Sequence, residues 1–279
     1  MKLFFEIIIF FGFCYAKLLQ PIGSNEIEIL DINNKIREYS ISRGNDLKYQ
    51  VVGPKLVALN ARKPIPRRYN GKIEVEFTIH LEGSNSIYHY SENNISNLVK
   101  SKKHPAHAYS NSEQILINIP KGQHVLSFSS DKGPILFRLT TKKKLKRKKT
   151  EYISPINFNK PIKITTGSRF KEFSILKSKE TEIFNLIDEG LFWLYLRGVH
   201  NNDKIIPIIL NYNTSEKSGF QKIIFFSEPS PITKADGFRK KIGKLRTFPI
   251  PLLNDFNKLI IENLSEIDVL IHGGLINDE

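Results

Sequence analysis

The sequence has almost no residues that could support thiol chemistry. Its 279 residues include one cysteine, Cys14, and one methionine. A chain with one cysteine has no internal disulfide, and a chain that loses its first sixteen residues on export has no cysteine left. Thiol catalysis and cysteine-ligated zinc are therefore excluded, and the stability of the protein must come from packing.

Motifs of common catalytic and nucleotide-binding sites are also absent. The sequence contains no G-x-S-x-G, G-x-x-x-x-G-K-S/T or H-E-x-x-H. His104 and His107 form an H-x-x-H pair, but zinc needs three or four converging ligands. We therefore expect no bound metal and no cofactor, and the sequence favours a non-enzymatic role.

The first sixteen residues have the pattern of a secretory signal peptide. Lys2 is followed by the run 3–13, which is apolar apart from Glu6, and the small residue Ala16 stands at the expected cleavage site. The run is shorter than the roughly 20 apolar residues that a membrane span needs. We therefore expect export to the periplasm, the cell surface or the extracellular space, with no transmembrane span after cleavage. An uncleaved anchor is the alternative.

Positive charge dominates the composition. Lysine and arginine total 42 against 28 aspartate and glutamate, which gives a formal net charge of +14. A field of this size favours polyanionic partners. Outside the cytoplasm such a partner would be an anionic glycan or envelope polymer rather than nucleic acid, and another envelope protein is a further candidate. The alternative is that the lysine content reflects an AT-rich genome and has no functional meaning.

The chain contains a diverged internal duplication. Residues 37–62 match residues 171–197 with a nearly constant offset. The corresponding positions are Glu38-Tyr39-Ser40-Ile41 with Glu172-Phe173-Ser174-Ile175, Leu47 with Ile183, Val51 with Ile187, and Arg62 with Arg197. The recurring arginine indicates a shared structural bond, for instance to a strand end or to a loop carbonyl.

Both copies have the pattern of antiparallel sheet. Residues 72–81 alternate apolar and polar side chains, which is typical of a strand with one wet face. We predict an all-β protein of two tandem antiparallel β-sandwich domains, of jelly-roll or fibronectin-like type, related by internal duplication. The expected segments are a signal peptide at 1–16, a first domain at 17–141, a basic linker at 142–150 and a second domain at 151–279.

Basic residues cluster in the linker and in two long polar loops, 92–112 and 229–244, which take the same place in each copy. Long loops inside compact domains are often functional, and lysine and arginine bind phosphates and carboxylates. The candidate binding residues are Lys100, Lys102, Lys103, Lys142, Lys143, Lys144, Lys146, Arg147, Lys148, Lys149, Lys234, Arg239, Lys240 and Lys241. The alternative for the loops is a solvated, mobile insertion, and for the linker a protease-sensitive spacer.

A second candidate site is one face of the strand predicted at 191–197. Trp193, Tyr195 and Arg197 alternate with apolar residues, so they share a face. Flat rings beside a guanidinium could form a sugar-binding platform, with stacking from the rings and hydrogen bonds from the arginine. The alternative is that these side chains pack under a loop or against the other domain.

Together these features predict an exported, non-enzymatic binding or structural protein that engages an anionic partner through its basic loops. One alternative is a carbohydrate-binding module protein with the aromatic platform as its site. A second alternative is a glycan-active enzyme whose site lies between the domains. No specific family is matched, although the phrases at 53–56 and 119–124 resemble those of secreted β-sandwich accessory modules.

Overall fold

The computed structural model describes residues 16–69, 71–142, 150–156, 161–186, 190–214, 221–252 and 258–276. The described residues form β-strands, turns and irregular segments. No helix occurs among them, and so none that could cross a membrane. The expected signal segment, apart from Ala16, lies outside the described residues.

The N-terminal half, residues 16–142, contains eleven strands. They are β1 (Leu18–Leu19), β2 (Ile27–Ile32), β3 (Lys35–Ser42), β4 (Leu47–Arg62), β5 (Pro64–Pro66), β6 (Ile73–Leu81), β7 (Ile87–Asn93), β8 (Val99–Ser101), β9 (His107–Tyr109), β10 (Glu113–Ser129) and β11 (Ile135–Thr141).

The C-terminal half, described from residue 150 to 276, contains twelve. They are β12 (Glu151–Ile153), β13 (Ile162–Thr166), β14 (Arg169–Leu176), β15 (Thr181–Asn185), β16 (Gly190–His200), β17 (Ile206–Asn213), β18 (Gln221–Ser227), β19 (Thr233–Ala235), β20 (Lys241–Ile242), β21 (Arg246–Leu252), β22 (Lys258–Asn263) and β23 (Val269–Ile276).

The two longest strands connect the two layers of the N-terminal sandwich. β4 and β10 pair with each other along most of their length. The first part of β4 and the last part of β10 lie beside β6 and β7, whereas the last part of β4 lies beside β11 and β3. Alternate residues of these strands, such as Val57, Leu59, Phe77 and Phe137, point into one core between the layers.

Glycine and proline bend β4 and β10 without ending them. The sequence pattern at Gly53-Pro54 predicts a break in one strand, and Pro120 to Gln123 a connection between two. Instead both strands continue, and the register shifts between Ile119 and Gly122. A Cβ on Gly53 would lie 1.7 Å from the carbonyl oxygen of Pro120, so only glycine allows the two backbones to approach this closely.

The C-terminal half repeats this plan, which confirms the tandem β-sandwich fold. In the N-terminal half β11 pairs with β3 and β4, and in the C-terminal half β23 pairs with β14 and β16 in the corresponding register. One sequence match is wrong by a residue. Leu47 faces its core, but in β15 the fully buried residue is Phe184 rather than Ile183. Ile187 lies outside the described residues.

The halves are joined by a ladder that the predicted antiparallel sandwiches do not contain. β10 pairs with β18 in parallel, with Ile115 opposite Lys222 and Asn118 opposite Phe225. This ladder makes one 13-stranded sheet from strands of both halves. Ile224 and Phe226 of β18 belong to the core of the N-terminal half. The halves are therefore connected by a shared sheet and by shared packing as well as by the chain itself.

Two prolines protect the corresponding edge of the C-terminal half. β21 pairs with β16 as the first part of β10 pairs with β4, so these two strands correspond. Pro249 and Pro251 of β21 then occupy the positions of Leu116 and Asn118 in β10, where β10 pairs with β18. The ladder between β21 and β16 is uninterrupted although proline cannot donate to it, so the proline nitrogens must point to the free edge.

We expect replacement of both prolines by threonine to cause self-association. The change restores two outward N–H donors on an edge where no other described strand pairs, while the ladder to β16 remains. Analytical ultracentrifugation over a concentration series should show concentration-dependent dimers or larger species for the double variant and a single species for the parent. Pro134→Thr, a proline-to-threonine substitution at a half-exposed position just before β11, serves as a single-site control. A double variant that sediments like the parent would contradict this function of the prolines.

Candidate functional site

The two long polar loops fold back over the outer faces of the sheets. Residues 92–112 carry β8 and β9, and β8 pairs with β2. Residues 229–244 carry β19 and β20, which pair with β13 and β16. Each loop covers a small second core, formed around Tyr39 and Tyr109 in the N-terminal half and around Phe173 and Trp193 in the C-terminal half. The described loop backbone therefore belongs to the packed structure.

One buried arginine in each half holds its loop. Arg62 donates to the carbonyl oxygen of Ser110 at 2.6 Å, and Arg197 donates to the carbonyl oxygen of Gly243 at 2.8 Å. Both side chains are almost completely buried. The predicted structural bond of the duplicated arginine is thus confirmed. Burial lowers the pKa of Arg197 to about 10, so the guanidinium remains charged at neutral pH.

A cavity lies beside each of these arginines. The C-terminal cavity has a volume of about 500 Å³ and is lined by Thr150, Ile164, Thr166, Arg169, Phe170, Lys171, Phe173, Tyr195, Arg197 and Leu245. The N-terminal cavity has a volume of about 470 Å³ and is lined by Ala16, Ile32, Arg37, Tyr39, Asn60, Arg62, Ser112, Gln114, Arg138, Thr140 and Lys142. Five lining positions correspond between the halves, namely Ile32 with Thr166, Arg37 with Lys171, Tyr39 with Phe173, Asn60 with Tyr195, and Arg62 with Arg197.

The C-terminal cavity combines aromatic rings with cations. The Nζ atom of Lys171 lies 4.4 Å from the ring centroid of Tyr195, and that of Lys163 lies 4.6 Å from the ring centroid of Phe170. Phe170 is 61 % exposed, which is unusual for a phenylalanine. No carboxylate is among the described residues that line the cavity.

The N-terminal cavity is more polar and more basic. Asn60 on β4 lies opposite Gln114 on β10 and opposite Arg138 on β11, so the three side chains form one row across neighbouring strands. Directly opposite residues in such ladders have Cβ atoms about 5 Å apart. Burial, and then the positive charge of Arg37, lower the pKa of Arg138, whereas the more weakly acting Tyr39 and Glu38 raise it.

The aromatic platform predicted on β16 is not an open surface. Trp193 is 3 % exposed and packs in the small second core, and the indole is not part of the cavity wall. It is covered because residues of the returning loop, Phe238 and Ile242 among them, pack in the same small core. Tyr195 and Arg197 are also buried, but both line the C-terminal cavity. The open ring there is Phe170.

The basic loop residues remain separate from both cavities. Lys100, Lys102, Lys103, Lys234, Arg239, Lys240 and Lys241 are exposed and line neither cavity. Lys100 and Lys234 do occupy corresponding positions. Lys100 lies on β8, which pairs with β2, and Lys234 lies on β19, which pairs with β13 in the same way. Lys241 forms an ion pair with Asp203 at 2.6 Å. In the linker Lys142 lines the N-terminal cavity, whereas Lys143, Lys144, Lys146, Arg147, Lys148 and Lys149 lie outside the described residues.

The histidine pair lies at the edge of a polar cluster around the buried carboxylate of Glu28. The Nδ1 atom of His104 lies 2.6 Å from a carboxylate oxygen of Glu28, and Ser101 and Tyr109 donate hydrogen bonds to the same carboxylate. His107 stacks on His104 with ring centroids 5.3 Å apart. Among the described residues no group of three or more histidine, cysteine, aspartate or glutamate side chains could hold a metal ion.

Several lining residues were missed because they are separated in the sequence. Arg169, Phe170 and Lys171 precede the EFSI phrase, and Arg37 precedes EYSI, so the duplication could have drawn attention to both segments. Arg138 lies far along the chain, and it reaches the cavity only through the pairing of β11 with β4.

Comparisons with known proteins show a distant likeness. No family model and no curated protein matches the chain. The tandem CBM22-1-CBM22-2 domain of Paenibacillus barcinonensis Xyn10C is 9 % identical, with 94 % of this chain and 98 % of that chain covered and a TM-score of 0.26. The ANXUR2 extracellular domain of Arabidopsis thaliana is 9 % identical, with 96 % and 90 % covered and a TM-score of 0.25.

A third solved structure contains the M60 catalytic domain with the CBM51-1 and CBM51-2 domains of Clostridium perfringens ZmpB. It is 7 % identical, and the alignment covers 94 % of this chain and 37 % of that one, with a TM-score of 0.22. All three TM-scores are too low to carry an argument about function. The chain's own geometry is therefore the basis of the proposals below.

The buried histidine next to the C-terminal cavity makes stability depend on pH. His272 donates from Nδ1 to the carbonyl oxygen of Glu172, 2.8 Å away, and Tyr152 stacks on the ring. Burial lowers the pKa of His272 to about 4. In the unfolded chain the histidine has a pKa of about 6.5. Between pH 6.5 and pH 4 the unfolded chain therefore binds a proton at His272 that the folded chain does not bind, so the free energy of unfolding falls as the pH falls.

We expect wild-type protein to lose about 2 kcal/mol of unfolding free energy through His272 between pH 7 and pH 5. In His272→Asn, which keeps a side-chain donor, this part of the slope should disappear. His89, whose pKa burial lowers to about 3, provides a matched variant, and His89→Asn should remove a second part of the slope. Urea titrations at pH 5, 6 and 7 measure these slopes. Parallel slopes for the wild type and His272→Asn would contradict the assignment.

Proposed function

We propose that this protein is an exported, non-enzymatic glycan-binding protein, and that the C-terminal cavity binds an acidic oligosaccharide. The observation that carries the proposal is the coincidence of an exposed ring, two exposed cations and a concave floor without a described carboxylate. The export part of the proposal depends on the signal pattern of the first sixteen residues, and its destination is the periplasm, the cell surface or the extracellular space.

The ring in this cavity is suited to a sugar. Phe170 exposes most of its surface at the cavity, although burying a phenylalanine would stabilise the fold by about 2 kcal/mol. An aromatic face that remains exposed is favourable for the C–H surface of a pyranose ring, which has one apolar side. A volume of about 500 Å³ is within the range of small-molecule sites.

The cations favour an acidic sugar over a neutral one. Arg169 and Lys171 are exposed on the same strand and line the cavity. Arg197 lies at the base, where its Nη atoms are hydrogen-bonded to Thr166, Thr233 and Gly243. A carboxylate on the ligand would interact with the exposed pair, because guanidinium and ammonium groups bind carboxylates by charge-assisted hydrogen bonds.

A second candidate function is binding of an extended anionic polymer through the exposed loop lysines. The observation in its favour is that Lys100 and Lys234 recur at corresponding strand edges, and that neighbouring basic residues are also exposed. Such a surface would bind through many weak contacts, and its affinity would fall steeply with salt. An envelope polymer or an acidic surface of another envelope protein fits this description.

The proposal is tested with a uronic-acid oligosaccharide and with the same oligosaccharide after its carboxylates are reduced to hydroxymethyl groups. We expect the acidic form to bind and the reduced form to bind at least tenfold more weakly. Phe170→Ala should weaken binding of the acidic form roughly tenfold, because the stacking surface is lost. Isothermal titration calorimetry in 150 mM salt measures the affinities.

Matched controls separate the cavity from the loops. Tyr88→Ala removes another highly exposed ring, on β7 of the N-terminal half, and should leave the affinity unchanged. Replacement of Lys100, Lys102 and Lys103 by serine removes loop charge and should also leave it within twofold. If the loop variant loses binding and Phe170→Ala keeps it, the loop surface is the site and the cavity proposal is wrong.

A further inference from the structure

We propose that the N-terminal cavity is a binding site for a sulfate or phosphate monoester. This cavity corresponds in position to the C-terminal cavity, but the side chains that line it differ in chemistry. The inference is carried by this cavity's own cations and amides, and so it does not depend on the glycan proposal.

Four cationic side chains line this cavity, namely Arg37, Arg62, Arg138 and Lys142. No carboxylate is among its described lining residues, although Glu38 lies close enough to Arg138 to raise the pKa of that arginine slightly. Such a concentration of positive charge is unfavourable without an anion, because the cations repel one another and two of them, Arg62 and Arg138, are wholly or partly removed from water. A phosphate monoester, with a charge near −2, would relieve more of this repulsion than a single carboxylate, and a sulfate monoester would bring a charge of −1 spread over three oxygens.

Arg138 lines this cavity with a donor that no described residue of the protein satisfies. Its Nε atom is buried and has no hydrogen-bond partner among the described residues. Arg62, by contrast, has two acceptors, since its Nη1 donates to Ser110 and its Nε donates to the hydroxyl of Tyr39 at 3.3 Å. A buried donor without an acceptor is costly, and a bound oxyanion would satisfy it.

The neighbouring amides supply further donors from other directions. Asn60 lies between Gln114 and Arg138 in the row across β10, β4 and β11. Arg37 lies on β3, and its positive charge lowers the pKa of Arg138. An ester with three terminal oxygens can accept hydrogen bonds from several such groups at once, and a planar carboxylate has only two oxygens to offer.

The corresponding positions of the C-terminal half show that the difference is specific. Where the N-terminal cavity has Asn60 and Arg138, the C-terminal cavity region has Tyr195 and His272. The buried arginine that holds the loop is common to both. One cavity therefore has aromatic rings at positions where the other has a cation and an amide donor.

The test uses inorganic sulfate, inorganic phosphate and glucose 6-sulfate, with unesterified glucose as the negative control. Calorimetry and thermal unfolding are carried out at constant ionic strength, with chloride replaced by the anion at low millimolar concentration. We expect glucose 6-sulfate to bind and glucose not to bind. At ten times Kd, bound anion should raise the Tm by roughly 3 °C. Comparison of sulfate with phosphate shows which of the two free oxyanions the site prefers.

The variants Arg138→Gln and Arg37→Gln should each raise the Kd for glucose 6-sulfate at least tenfold. Lys171→Gln, at the position corresponding to Arg37, is the matched control and should change that Kd by less than twofold. Arg138→Gln should unfold at the same temperature as the wild type or higher without anion, because a buried donor without a partner is removed. Loss of folding therefore cannot imitate loss of binding.

Two results would overturn the proposal. One is a wild-type protein that neither binds glucose 6-sulfate nor gains stability from sulfate or phosphate. The other is an equal gain in the wild type, Arg138→Gln and Arg37→Gln, which would mean that the anions act on the protein surface in general.

Discussion

The structure depends on one interaction that occurs twice, a buried guanidinium that donates to the carbonyl oxygen of a returning loop. Arg62 reaches Ser110, and Arg197 reaches Gly243. A buried cation is tolerated only when hydrogen bonds replace its water, so the loop backbone must stay where the arginine can reach it. The fixed loop then covers one part of the outer sheet face and leaves a concave area beside it. Both cavities are consequences of this arrangement.

The shared arrangement allows the two cavities to differ in chemistry without a change of fold. The strands that carry the lining residues are held by cores on the opposite side of the sheet, around Leu59 in one half and Leu194 in the other. Outward-facing positions can therefore change with little effect on these cores. Rings with cations at one cavity, and amides with cations at the other, are alternative ways to use the same floor.

Sequence reasoning could predict the parts of the structure that depend on local pattern. The EYSI and EFSI phrases, the recurring arginine and the alternation in residues 72–81 are sufficient to predict a duplicated β-sandwich. The parallel ladder between β10 and β18 could not be predicted, because residues 115–118 and 222–225 are far apart and their apolar pattern does not specify a partner. The burial of Trp193 depends on the loop that packs over it. Charge in the loops was visible in the sequence, whereas Arg138 comes close to Arg37 only in the folded protein.

The two halves have corresponding cavities, and we propose that these differ in ligand chemistry. An NMR titration of isotope-labelled protein, first with glucose 6-sulfate and then with the uronic-acid oligosaccharide, distinguishes the two sites. We expect the ester to shift signals of Arg37, Asn60 and Arg138, and the oligosaccharide to shift signals of Phe170 and Lys171, with little overlap. Both ligands shifting the same signals, or shifting mainly those of Lys100, Lys102 and Lys103, would contradict this expectation.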